Sequence, residues 1–347
     1  MSLEGLRMSS YSIVGFIALG AIASATNQIV RRYALKGKDV TASEYSSFTF
    51  GSACIAFGIL YVLLWGVTFP NGLLHGFFTA VVLGSFANVV IQGLNAKTST
   101  YKLGEASYVA PLQSMTPMLI TLTALTLGEF PSWRGWLGVF VMSLGTYILA
   151  FDKKPTSILG YLTPLTRVVL VFFNKERSPA EREKGLVTLL ALCSAAMGTI
   201  GLLFDGLMVR RSGGMQGIVF GSVILCAILS FAYAPAALHS MRKRGQVAGT
   251  VCKYPALPVW VLIVFALLWV SMVLCTQPQF SHSFVAYVGT LKRLNVLFTV
   301  ILGWLVLKER DFGRRMVAAV CIIMGAVLIA TDAPQQLLLA RMAGIGL

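Results

Sequence analysis

Two stretches of the chain decide the fold, because one repeats the other. Residues 287–309 read YVGTLKRLNVLFTVILGWLVLKE, and residues 108–129 read YVAPLQSMTPMLITLTALTLGE. Each stretch begins with Tyr-Val, continues through apolar residues and ends in a glutamate. The sequence therefore predicts an internal duplication, and a duplication of this length sets the architecture of the whole chain.

The repeat extends beyond the quoted stretches. Both continue into a second apolar run, which contains Gly145 or Gly325 and closes at Asp152 or Asp332. The tyrosines that open the two copies are 179 residues apart and the aspartates 180, so one single-residue insertion accounts for the spacing. The repeat divides the chain into a first unit over 1–152, a basic linker over 153–184, a second unit over 185–332 and a tail over 333–347.

The composition indicates a membrane protein. Of 347 residues, 56% are of the AVILMFWYC type and only 12% are charged, whereas about 25% of the residues of a soluble domain are charged. A membrane-spanning helix needs about 20 apolar residues. Runs of this length occur at about 11–30, 46–69, 73–94, 105–127, 132–151, 186–208, 215–238, 256–276, 283–307 and 313–331.

Five spans in each unit force the two units into opposite orientations in the bilayer. We therefore predict an all-α integral membrane protein with ten transmembrane helices arranged as two inverted five-helix repeats. This is the pattern of secondary transporters, whose substrate sites lie near the midplane between the halves. The linker 153–184 carries seven basic residues and an apolar stretch that Pro164 and Arg167 interrupt. We interpret this apolar stretch as a helix at the membrane surface, with an eleventh span as the alternative.

The basic residues predict the orientation. Alternating loops place 21 of the 28 Lys and Arg on one side, including Arg31, and 5 on the other. Because Lys and Arg are enriched in cytoplasmic loops, the richer side is predicted to be cytoplasmic and both termini external. An eleventh span would reverse every assignment after the linker.

The chain resembles the EamA-type branch of the drug/metabolite transporter superfamily. The resemblance rests on the ten-span plan, on the two copies and on the phrases YVAPL…TLGEFPSWRG and YVGTLKRLNVLFTVILGWLVLKE. It implies an alternating-access carrier without ATPase machinery, and the phosphate-binding motif GxxxxGK[ST] is absent from the sequence. It also implies cytoplasmic termini, as in many relatives, so the orientation stays open at this point.

Lys292 and Arg293 are the most informative residues. Both lie near the middle of the ninth predicted span, where each costs about 2.5–3.5 kcal/mol on insertion scales. The nearest acidic candidates, Glu105 and Asp205, occur close to the ends of their own spans. We therefore expect uncompensated positive charge at the midplane, which a bound anion would balance. The alternative is that the two cations pair with a buried acid or with backbone carbonyls, or reach water without contacting substrate.

Further polar residues inside spans complete the predicted substrate site. Asn295 and Thr299 follow Lys292 at helical spacing, and Asn88 and Gln92 form a polar stripe on the third span. In the first copy, the positions matching the basic pair hold neutral residues that can form hydrogen bonds. The predicted substrate-binding residues are Lys292, Arg293, Asn295, Thr299, Gln113, Ser114, Asn88 and Gln92. Helix packing is the competing interpretation of the amide residues.

These observations favour a secondary carrier of a small organic solute, expected to be anionic. A flippase for a lipid-linked anion and an exporter of amino acids or other metabolites remain alternatives. An enzyme is not expected, because the three histidines are scattered and neither HExxH nor GxSxG occurs. No cofactor, metal or nucleic acid is expected. The expected partners are the lipid bilayer, the solute and a proton or counter-substrate. A homodimer is left open, and the expected location is the bacterial inner (plasma) membrane.

Overall fold

The protein was analysed as a computed structural model, which describes residues 10–35, 40–99, 116–125, 131–148, 179–247, 257–307, 317–318, 320–329 and 331–332. These residues form helices, short 3₁₀ segments and loops, with no strand among them. The helices are α1 (Ser10–Leu35), α2 (Ala42–Trp65), α3 (Phe77–Ser99), α4 (Thr116–Ala124), α5 (Trp133–Ile148), α6 (Pro179–Arg210), α7 (Met215–Val247), α8 (Val259–Thr276), α9 (Val285–Leu291), α10 (Leu294–Leu307) and α11 (Val320–Ile329).

Six of the helices are long and apolar enough to cross a membrane. They cover Ser12–Leu35, Ala42–Trp65, Phe77–Asn95, Gly185–Arg210, Met215–Arg244 and Val259–Ser281. These are the first three and the sixth to eighth predicted spans, so the prediction of a multi-pass, all-helical membrane protein is confirmed. The remaining helices occupy parts of the other four predicted spans.

The outward faces of the long helices match a hydrocarbon environment. On α2, Ile55, Ile59 and Leu63 are exposed, and on α8 Ile263 and Leu267 are exposed. A helix that faced water would present polar side chains on such a surface. Polar side chains such as Asn27, Thr49 and Ser85 are instead buried between helices. The apolar faces of the long helices therefore suit contact with lipid, and buried hydroxyls such as those of Thr49 and Ser85 donate to backbone carbonyls inside the bundle.

Helices from the two halves of the chain pack in pairs: α2 against α7, α3 against α6, and α1 against α8 and α10. The α2–α7 pair shares a reciprocal contact, in which the Ser47 hydroxyl donates to the Ser230 carbonyl at 3.1 Å and the Ser230 hydroxyl donates to the Ser47 carbonyl at 2.8 Å. At one end of this pair Arg244 donates to the buried carboxylate of Glu44. We call this the basic end of the bundle, because Arg242, Lys243 and Arg244 lie there.

Loops from both halves meet at the opposite end. The backbone N–H of Leu74, in the α2–α3 loop, donates to the carbonyl of Arg211, in the α6–α7 loop, at 2.9 Å. Gly213 has φ = 67° and approaches Gly72 so closely that a Cβ atom would lie 2.4 Å from the Gly72 carbonyl oxygen. Only glycine fits this position. The two loops therefore lie on the same side of the bundle.

A hydrogen-bonded carboxylate joins further segments at this opposite end. Asp332, which is fully buried, accepts hydrogen bonds from the Tyr287 and Ser132 hydroxyls. Tyr287 opens α9 and Ser132 precedes α5, so one carboxylate ties three segments together. A Cβ atom on Gly135 would lie 2.0 Å from the Tyr287 oxygen, which leaves room for glycine alone.

Helices α5 and α11 approach each other through glycines. A Cβ atom on Gly138 would lie 3.0 Å from the Gly325 carbonyl oxygen, and one on Gly325 would lie 2.7 Å from the Gly138 carbonyl oxygen. Gly145 is equally tight, at 2.9 Å from the carbonyl oxygen of Ala318. Small residues at these positions allow close backbone approach, which drives helix association in membranes.

One charge assignment from the sequence is wrong. The loop count places Arg31 in the connection after the first span, whereas α1 continues to Leu35 and holds Arg31 within the bundle. Inside the bundle, the Arg31 guanidinium donates a hydrogen bond to the Gln92 side chain of α3. Moving one cation from the richer side leaves the charge asymmetry, and the orientation it predicts, unchanged.

The α5–α11 contact yields a stability prediction. Gly325→Ala should lower the melting temperature of the purified protein, because the new methyl group meets backbone atoms that cannot move aside, at a cost of about 1–3 kcal/mol. Gly58→Ala is the matched control, since a Cβ atom there meets nothing within 4 Å and alanine favours the helix. Equal melting temperatures for Gly325→Ala and Gly58→Ala would contradict the close packing.

Candidate substrate-binding site

The basic pair occupies an interruption of a helix. Helix α9 ends at Leu291, α10 begins at Leu294, and Lys292 and Arg293 lie between them. The Arg293 N–H donates to the Thr290 carbonyl at 2.9 Å and the Asn295 N–H to the Lys292 carbonyl at 3.2 Å. These i→i−3 bonds form a 3₁₀ turn. The continuous helix predicted over 283–307 is therefore wrong at its centre, and a 3₁₀ stretch inside a helix often marks a functional hinge.

The interruption lies near the middle of the bundle. The Asn295 side-chain amide donates to the Ser24 hydroxyl of α1 at 3.2 Å. Ser24 is at the midpoint of the span Ser12–Leu35, so Asn295 and the basic pair just before it lie near mid-depth, as the sequence predicts. The Asn295 carbonyl accepts the Thr299 hydroxyl at 2.7 Å, and the Asn295 Oδ1 is buried without a partner among the described residues.

Lys292 faces one acidic side chain. Its Nζ atom lies 4.0 Å from the Asp205 Oδ2 atom and 4.9 Å from the centroid of the Phe280 ring. From the sequence, Asp205 is expected to lie too close to the end of its span to reach the pair, and that expectation is wrong for Lys292. Asp205 lies five residues before the end of α6, about 8 Å along the helix axis. The four-carbon stem of the lysine covers the remaining distance.

Arg293 differs from its neighbour. Among the described residues, no carboxylate lies within ion-pair distance of its guanidinium. Counting only the described residues, two cations at the interruption face one carboxylate, that of Asp205 on α6, which leaves one net positive charge among them at mid-depth. The Lys292 and Asp205 side chains are 20% and 14% exposed, so the region is largely withdrawn from solvent.

The polar stripe on α3 divides between two roles. Asn88 donates to its own helix at the Gly84 carbonyl, 2.9 Å away, beside Gly201 of α6. Asn95, one further member of the stripe, accepts the Ser194 hydroxyl of α6 at 2.9 Å. Asn88 and Asn95 thus lie where α3 and α6 pack, in agreement with the packing interpretation. Gln92 instead accepts a hydrogen bond from Arg31 at 3.2 Å.

Of the predicted site residues, the structure brings Lys292, Arg293, Asn295 and Thr299 together and places Asn88 and Gln92 on α3. Gln113 and Ser114 lie outside the described residues. Sequence reasoning missed Arg31 as an interior residue. Its signal was the spacing to Asn27, because residues i and i+4 share a helix face and Asn27 is itself buried.

The fold occurs in a protein of known structure. One crystal structure superposes on 94% of this chain and 99% of its own chain, with a TM-score of 0.63 and 16% sequence identity. At this identity the similarity shows a shared fold and carries no function. No family model matches the sequence, and no curated protein matches it significantly.

The charge arrangement predicts unequal coupling of the two cations to Asp205. In a double-mutant cycle, Lys292→Met and Asp205→Asn should be coupled by about 1 kcal/mol, because their atoms are 4.0 Å apart in a partly desolvated site. The matched cycle of Arg293→Met with Asp205→Asn should give a smaller coupling. Thermal unfolding in detergent measures both, and equal couplings would contradict the assignment of Asp205 to Lys292.

Proposed function

We propose that this protein is a secondary-active transporter of a small organic anion, which it moves by alternating access between two inverted five-helix repeats. The observation that carries the proposal is the pair Lys292 and Arg293 at a helix interruption near mid-depth, where Asp205 faces Lys292 alone. Discontinuous helices at the midplane form the substrate sites of many secondary transporters. Ionisable residues at this depth mark substrate or ion pathways.

The charge balance supports an anionic cargo. A net positive charge in a low-dielectric site favours an anion, and an Arg guanidinium can bind a carboxylate or a phosphate through two parallel hydrogen bonds. Lys292 already contacts Asp205 at the limit of an ion pair, so an anion would bind mainly to Arg293 and compete with Asp205 for Lys292. The unpartnered Asn295 Oδ1 offers an acceptor for a hydroxyl or amine of the same solute.

The helix pairing supports the inverted repeat. If spans one to five correspond to spans six to ten, then α1, α2 and α3 correspond to α6, α7 and α8. The α1–α8 contact then corresponds to the α3–α6 contact, and the α2–α8 contact corresponds to the α3–α7 contact. All four contacts occur. With the 180-residue offset, Gly138 corresponds to Ala318 and Gly325 corresponds to Gly145. The Gly138–Gly325 contact therefore corresponds to the contact between Ala318 and Gly145, which also occurs. The two hydrogen bonds between Ser47 and Ser230 are reciprocal, as expected of two residues that lie on the twofold axis relating the two repeats.

The loop contacts support ten spans over eleven. The α2–α3 and α6–α7 loops touch, through the hydrogen bond from Leu74 to Arg211. The chain between them must therefore cross the membrane an even number of times. Helices α3 and α6 are two crossings, and the predicted spans over 105–127 and 132–151 make four. A crossing by the linker 153–184 would make the number odd, so the contact favours the surface helix.

The fold and repeat suit membership of the EamA-type drug/metabolite transporters, a proposal that rests on the phrases of the two copies. The charge asymmetry supports a cytoplasmic basic end, and a bacterial inner (plasma) membrane stays the predicted location.

Transport assays test the function directly. Purified protein in proteoliposomes should take up at least one member of a panel of radiolabelled sugar phosphates, dicarboxylates and amino acids. Arg293→Gln should reduce that uptake about tenfold or more, because a charged hydrogen bond is worth about 1.5–3 kcal/mol. Arg242→Gln is the matched control, since Arg242 is exposed at the basic end. Unchanged uptake in Arg293→Gln would overturn the binding role, and movement of a lipid-linked anion alone would favour the flippase.

Orientation can be tested by labelling. In a background with all six cysteines replaced, Asn71→Cys should react with a membrane-impermeant maleimide in intact cells, and Lys243→Cys should react only in inside-out vesicles. Both positions are exposed, at opposite ends of the bundle. The reverse pattern would place the termini in the cytoplasm and overturn the orientation drawn from charge.

A further inference from the structure

A second cation points into the bundle from α1. The Arg31 Nη1 atom donates to the Gln92 Oε1 atom of α3 at 3.2 Å, and its Cζ atom lies 5.8 Å from the centroid of the Tyr45 ring of α2. The Nη2 atom is buried and has no partner among the described residues. An arginine that simply extended to water at the membrane surface would expose its guanidinium. Arg31 instead holds its guanidinium between three helices.

No carboxylate of the described residues neutralises this charge. Glu44, the neighbour of Tyr45 in sequence, is bonded to Arg244 and to the backbone N–H of Thr41. The groups that contact Arg31, an amide and an aromatic ring, are neutral. Removing an arginine from water into such surroundings is unfavourable unless another group balances its charge.

Two further polar atoms near Arg31 are buried and unpartnered. Asn27 lies one helical turn earlier on the same face of α1, and its Oδ1 atom has no partner among the described residues. The Tyr45 hydroxyl also has no partner among the described residues, and Tyr45 is only 3% exposed. Buried polar groups are normally hydrogen-bonded. The cation Arg31, with one unpartnered nitrogen and two unpartnered polar groups nearby, therefore indicates a binding site.

We propose that Arg31, Gln92 and Tyr45 form a second anion-binding site, which takes a carboxylate or phosphate group. Arg31 would donate from Nη2, Gln92 would hold the guanidinium in position, and the Tyr45 hydroxyl would supply a second donor. The site lies toward the basic end. Arg31 follows Ser24, the contact of Asn295, by seven residues on α1, which corresponds to about 10 Å.

This separation defines the role of the site. The Arg31 site lies nearer the basic end than Arg293 does, so in this proposal a small anion occupies the two sites in succession. In the transporter proposed above, on which this role rests, the Arg31 site is the station between the basic end and the midplane.

Calorimetric titration of the purified full-length protein with inorganic phosphate, and separately with acetate, tests the proposal. We expect two equivalents of at least one anion to bind the wild-type protein. Arg31→Gln should remove one of them, or weaken it about tenfold or more, and Arg293→Gln should remove the other. Tyr45→Phe retains the ring and its packing, and should weaken only the Arg31 site. Arg242→Gln, which removes an exposed charge, should leave both.

The outcomes separate this proposal from the proposed function. One equivalent that Arg293→Gln abolishes and Arg31→Gln retains overturns the second site alone. One equivalent lost in Arg31→Gln and Tyr45→Phe but retained in Arg293→Gln supports the second site and contradicts the midplane site. Binding of neither anion overturns both. If phosphatidylglycerol in the micelle displaces phosphate from the Arg31 site alone, the site belongs to a lipid headgroup and its role as a station for solute is overturned.

Discussion

The structure depends on how positive charge is held inside hydrocarbon. A charged side chain at mid-depth is costly, and the bundle accepts two neighbouring ones at a point where the helix is interrupted. Asp205 offsets Lys292 in part, while no carboxylate of the described residues offsets Arg293. The positive charge of Arg293 does not stabilise the fold. In the transporter proposed above, a bound anion would balance that charge.

The surrounding helices satisfy the opposite requirement. Their polar groups pair within the bundle, as in the Ser47–Ser230 exchange, and glycines such as Gly138 and Gly325 bring backbones into direct contact. Rigid pairs of this kind can move as units. The bundle is latched at both ends, by Glu44 with Arg244 and by Asp332 with Tyr287. In the transporter proposed above, the two ends would open in turn, and the buried carboxylates of Glu44 and Asp332 lie at those two ends.

Sequence reasoning reached the midplane residues because their anomaly is one-dimensional: a cation inside an apolar run stands out without any knowledge of its neighbours. It could not find their partners. Asp205 is near the end of its own span, and only the packing of α6 against the 3₁₀ segment 277–281 and α9 brings it to Lys292. Arg31 was predicted to lie in a loop, because a cation at the edge of an apolar run has the sequence appearance of a loop residue. Whether its guanidinium turns outward or inward depends on Gln92 and Tyr45, which belong to other helices.

The sequence by itself determined the helical membrane character, the approximate positions of the six long spans and the place of the basic pair inside an apolar run, since length and hydropathy act locally along the chain. The duplicated phrases also predict an internal repeat. Tertiary structure alone decided where α9 gives way to α10, which cation has an acidic neighbour and which amides of α3 face α6 or Arg31. Those features follow from contacts between helices distant in sequence, and in a membrane such contacts arise from close packing and hydrogen bonds, which hydropathy does not encode.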